Sequence, residues 1–130
     1  MAITINTLNS GTTKIFLTHT DTRVTYSDGS TASFNISGAF SESGITNWAD
    51  VVRIEIGTTV TSIASGKLQA ASGLTYVLIP NSVTSIGADL KPGFSGTAIF
   101  VGTTAEFNTA RDTHMPDLGI VQCLDGNVQT

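Results

Sequence analysis

Apolar positions in this chain come in short clusters set among Ser, Thr, Asn and Gly, a spacing that predicts many short strands and turns. The first twenty residues alternate weakly, Ile3 and Ile5, then Ile15 and Leu17, and predict an edge strand or an extended arm. In "RVTYSDGSTASFNI", Val24 and Tyr26 precede a turn and Phe34 and Ile36 follow it. Asp28-Gly29 between two such runs predicts a tight hairpin, because both residues tolerate the positive φ values of the turn. Strands are expected near 22–27 and 31–37. "SGAFSESGITNWADV" is irregular, and Trp48, the only tryptophan, is expected to plug the end of the core with its indole N–H bonded.

Residues 52–102 repeat. Ile56, Val60 and Ile63 recur as Ile79, Val83 and Ile86, 23 positions on each time, and Gly57 answers Pro80. A third unit opens at "AIFVG", where Ile99 and Val101 answer Val77 and Ile79 after 22 positions. A period in this range with a short strand per unit marks a leucine-rich-repeat solenoid. One unit cannot bury its apolar side alone, so stacked units share a continuous core. In "YVLIP", Val77 and Ile79 take one face and Tyr76 and Leu78 the other. Pro80 cannot donate to a ladder and ends the strand. Val83 and Ile86 return to the core, Leu68 and Leu74 close the first coil, and Leu90 helps to close the second.

The remainder leaves the repeat. Thr103 or Thr104 can cap a short helix running to Arg111, with Glu106 in its first turn and Phe107 as its core contact. Pro116 is expected to end this segment, "GIVQCL" to form a last strand and "DGN" a turn. The expected fold is mainly β, a short leucine-rich-repeat-like solenoid of two to three coils forming one domain over 1–130. Residues 1–20 are its arm or edge strand, 21–50 an N-terminal β-hairpin cap, 51–102 the repeats, and 103–130 a small C-terminal helix–strand cap.

These residues resemble the BspA-type, or Treponema pallidum-type, leucine-rich repeats. The family phrase is an apolar residue, x, Ile-Pro-x-x-Val-x-x-Ile-Gly, then Ala-Phe, a Cys position and Leu. Ile79, Pro80, Val83, Ile86 and Gly87 match it. The first unit keeps Ile56, Val60 and Ile63 but has Gly57 for Pro, Ala64 for Gly, Leu68 for Phe and Ala71 for Cys, and closes on Leu74. The second is one residue short, with Leu90 near the Phe position and "KPGFSG" in place of the Cys-to-Leu segment. The likeness covers about 50–128. It implies an adhesion or protein-interaction module of the kind found in bacterial surface and phage-encoded proteins, with no catalytic residues to carry over.

Composition narrows the function. Charged residues are 12% of the 130 and the net charge is −4. The six basic residues are scattered, which argues against nucleic acid, since phosphate neutralisation needs clustered Lys and Arg. A chain of this length buries about two thirds of its unfolded surface, so it needs no metal or disulfide to fold. Cys123, the only cysteine, is expected to be a small buried side chain. The N-terminus has no basic start or long apolar core, so no secretory signal is expected, and no apolar run reaches the ~18 residues of a membrane span.

No set of residues has metal-ligand spacing. His19 and His114 read as surface histidines, and no phosphate loop or nucleophile elbow occurs. No cofactor, metal or catalytic residue is expected, and enzymatic activity is not. The candidate site is a partner-binding face of outward strand positions, Arg53, Tyr76 and Ala98 in one row and Glu55, Leu78 and Phe100 in the next. Tyr76, Leu78 and Phe100 would form exposed apolar surface of the kind that marks contacts, and alanine at Leu78 or Phe100 would then spare stability. Alternatively an arm or cap covers this face, or the phase is off by one, which exchanges the two faces. The arm, 2–17, adds a strand to a neighbouring subunit or is an ordinary first strand.

The favoured function is a non-enzymatic structural or protein-binding module, a phage or virion structural protein of decoration, fibre or receptor-binding type. Its partners would be capsid or tail subunits or a host receptor, as a homo-oligomer or within a larger assembly, located in the virion. The alternative is a bacterial surface adhesin or interaction module seen as a fragment, at the cell surface or in the cytoplasm.

Overall fold

A computed structural model of the chain describes residues 2–8, 12–42, 44–111 and 118–130, those up to 17 by backbone alone. His114 and Pro116 lie outside the described residues. The protein is mainly β. The strands β1 (Ala2–Leu8) and β2 (Thr12–Thr18) pair antiparallel as a ribbon that joins no other sheet. The expected edge strand or arm is thus a hairpin of its own. The next hairpin is β3 (Thr22–Tyr26) and β4 (Thr31–Phe34), turning at Gly29, which has φ +89°. Asp28 fixes this turn by accepting from the Ser30 N–H at 2.9 Å and the Ser30 hydroxyl at 2.6 Å, bonds that hold its carboxyl below the usual range.

The chain then alternates between two sheets. It passes through β5 (Gly38–Ala39), a 3-10 turn at Trp48–Asp50, β6 (Val51–Glu55), β7 (Val60–Ile63), β8 (Tyr76–Pro80), β9 (Ser85–Ile86) and β10 (Thr97–Val101). Then come α1 (Thr104–Ala110), β11 (Ile120–Cys123) and β12 (Gly126–Gln129). The larger sheet has the order β12-β11-β10-β8-β6-β3-β4, with β6, β8, β10 and β11 parallel and a hairpin at each edge. The smaller, β5-β7-β9, is parallel throughout. Between them lies the main core, which includes Ile54, Val60, Ile63, Leu68, Leu74, Val77, Ile79, Val83, Ile86 and Leu90. Trp48 packs half-buried against it.

The repeat of 23 positions appears as register. Arg53 pairs with Tyr76, Ile54 with Val77, and Ile63 with Ile86. Leu68 and Leu90, the candidates for closing successive units, join by a 3.2 Å hydrogen bond from the Leu68 N–H to the Leu90 carbonyl. Gly87 lets successive units close up, because a Cβ there would collide with the Ser65 backbone. Gly57 stands where the second unit has Pro80 because the chain leaving the ribbon crosses it. A Cβ at Gly57 would strike the Thr20 carbonyl, and its N–H, which proline lacks, donates to the Thr22 hydroxyl at 3.0 Å.

The third unit departs from expectation. Val77 pairs with Ala98 and Ile79 with Phe100, so the interval is 21 positions and not 22. Ala98 and Phe100 therefore face the core, while Ile99 faces away from it. The Phe100 ring packs edge-on against Phe107 of α1, with centroids 5.3 Å apart at 61°. Helix α1 begins as its sequence predicts. The Thr103 hydroxyl accepts from the Glu106 N–H at 3.1 Å and the Glu106 carboxylate accepts from the Thr103 N–H at 3.0 Å. "DGN", expected only to turn, opens β12, which pairs antiparallel with β11.

Candidate protein-binding face

The larger sheet turns one side to the core. Its outer side carries rows set by the register. The first is Arg53, Tyr76, Thr97 and, one step before the Ala98–Val121 pair, Ile120. The second is Glu55, Leu78, Ile99 and Gln122.

Of the five residues put forward as partner-binding, three form one charged and aromatic cluster here. The Arg53 guanidinium lies 3.8 Å from the centroid of the Tyr76 ring and 3.2 Å, from its Nε, to the Glu55 carboxylate. Stacking and ion pairing fix a side chain that would otherwise sample many rotamers. Burial pushes the Tyr76 phenol above its ordinary pKa, against the pull of Arg53, and Glu55 adds to the rise. Glu55 is 8% exposed and also lies 3.5 Å from His19 Nε2. His19, expected at the surface, is thus largely covered, its side chain 13% exposed.

The other two are not exposed. Phe100 is 1% exposed and belongs to the main core, because the shorter third interval exchanges its face with that of Ile99. Ala98, expected beside Tyr76, is buried for the same reason, and Thr97 takes its place. Leu78 does face away from the core, yet it is 1% exposed in a small cluster with Ile99 and Val101. Alanine at either Leu78 or Phe100 is therefore expected to cost stability, contrary to the expectation from sequence.

Sequence reasoning missed Ile120, which at 55% exposure is the only large exposed hydrophobic among the described residues. It borders a depression of about 380 Å³ shared with Phe94, Thr97, Gly119 and Gln122. The signal was present in "LGIVQC", where Val121 and Cys123 claim the core and leave Ile120 outside by alternation. Buried Cys123 has its thiol pushed up to about 11, by burial first and the nearby Asp125 second, so it supplies no thiolate at neutral pH.

Among the described residues, no group of three or more His, Cys, Asp or Glu is placed to hold a metal ion. No helix of the described residues is long and apolar enough to cross a membrane. Comparison with protein-family models, with curated proteins and with solved structures gives no match.

Proposed function

We propose that this chain is a non-enzymatic protein-binding or structural module that works within a phage or virion assembly. In this reading the alternation between the two sheets is a short leucine-rich-repeat-like solenoid of BspA type, and its sheet presents the contact surface. The observation that carries the reading is the row Arg53, Tyr76, Thr97 and Ile120. It combines an aromatic ring, a stacked arginine and an exposed aliphatic side chain on adjacent strands. Protein interfaces are enriched in Arg and Tyr, and rigid strands hold such groups in place with little entropy left to lose on binding. The low charge and the Ser/Thr/Gly-rich polar surface suit a subunit packed among neighbours.

Density-gradient fractionation of particles released by cells that produce the protein tests this. The wild-type chain is expected to sediment with the particles, and Ile120→Asp is expected to stay in the unassembled fraction. Wild-type chain found only as free protein rejects the assembly reading. Recovery on the cell envelope instead favours the surface adhesin alternative.

A further inference from the structure

The outer side of the larger sheet holds an apolar cluster with no described layer above it. Leu78, Ile99 and Val101 are 1%, 5% and 5% exposed, and Tyr76 and Leu124 pack beside them. Aliphatic side chains on the outer side of a sheet reach such burial only beneath another layer. We propose that this layer is the chain's own N-terminal ribbon, β1–β2, lying over Leu78, Ile99 and Val101.

Three observations lead to this occupant. The first is register, which pairs Ile3 with Leu17 and Ile5 with Ile15. Alternation then places these four aliphatic residues, with Thr7 and Thr13, on one face of the ribbon, and Ala2, Thr4, Asn6, Leu8, Thr12, Lys14, Phe16 and Thr18 on the other. The second is isolation. The ribbon pairs only with itself, and a lone two-stranded hairpin is marginally stable in water, so its apolar face needs a surface. The third is the root. Only residues 19–21 separate β2 from β3, and they are pinned. The Thr58 N–H donates to the His19 carbonyl at 2.9 Å, and His19 Nε2 meets Glu55. Glu55 neighbours Leu78 in the register, and Leu78 neighbours Ile99. The ribbon thus leaves the body on the side, and at the row, that carries the cluster.

Its length suffices. A seven-residue strand spans ~24 Å at ~3.4 Å per residue, while Glu55 to Ile99 is two strand spacings, ~10 Å. A ribbon donated by a second copy is not needed to reach the cluster. With the ribbon in place, the second row of the outer side is closed and the first row, Arg53 to Ile120, stays open. This holds whether or not the open row binds a virion partner.

The test is photo-cross-linking of the full chain with p-benzoylphenylalanine in place of Ile15, the adducts mapped by peptide mass. Adducts at Leu78, Ile99, Val101 or Leu124 in protein of monomer mass are the expected result. Adducts between two chains, adducts elsewhere, or none overturn the proposal. Since the bulky probe can disturb docking, melting of Ile5→Asp and Lys14→Asp gives a second reading. The first is expected to lower the Tm by several degrees and the second to leave it unchanged. Equal effects from the two faces overturn the proposal as well.

Discussion

The two sides of the larger sheet come from the same four parallel strands and obey different rules. On the inner side, Ile54, Val77, Ala98 and Val121 form one row, and Ile56, Ile79, Phe100 and Cys123, one step beyond the Glu55–Leu78 and Ile99–Gln122 pairs, continue it, all apolar and buried. On the outer side the chemistry changes at every step, from Arg53 to Tyr76 to Thr97 to Ile120. Inner positions repeat because each must fill the same interior against the neighbouring unit. Positions in the row from Arg53 to Ile120 are released from that requirement, and the proposed contact surface lies there.

Phe100→Ala should have the largest effect on the inner side. Loss of a buried ring packed on Phe107 should cost about 3–5 kcal/mol in denaturant unfolding. A negligible cost would mean that the third strand is out by one and that Phe100 lies outside. Gly87→Ala should cost about 1–3 kcal/mol, since the added methyl collides first with the Ser65 and Ala64 backbone, which cannot swing aside as a side chain can. Thr103→Ala removes the cap of α1 and should cost ~1 kcal/mol. Cys123 should resist iodoacetamide at pH 8 until the chain unfolds. Its pKa is raised to about 11 in the folded protein from 9.0, so the folded state favours the neutral thiol. The associated stability is full below about pH 9 and is lost as pH rises towards 11. The smallest expected stability change is that of Ile120→Asp, within about 0.5 kcal/mol, although it should abolish partner binding.

How much of this was legible depended on alternation. The β3–β4 hairpin was written in Asp28-Gly29, the first interval in Ile56/Ile79 and Ile63/Ile86, and the helix in Thr103 and Glu106. The third register was not legible. "AIFV" is apolar at four consecutive positions, so period-two reasoning has no phase to read, and the phase shows only in tertiary contacts such as that of Phe100 with Phe107. Strand β12 was missed because "GNVQT" has a single apolar residue, Val128. The burial of Glu55 and Leu78 was equally hidden, since what lies above a sheet face is decided by tertiary packing and not by the strand's own sequence. His19 read as surface for the same reason, its partner Glu55 being 36 positions away.

Inner positions fill the interior, while the outer side is split into a buried row, Glu55 to Ile99, and an open one, Arg53 to Ile120. Hydroxyl-radical footprinting of the intact protein measures this at each side chain. Rapid oxidation of Ile120 and Tyr76 is expected, with Leu78, Ile99 and Phe100 as protected as Phe107. Oxidation of Leu78 and Ile99 at the rate of Ile120 would contradict this split.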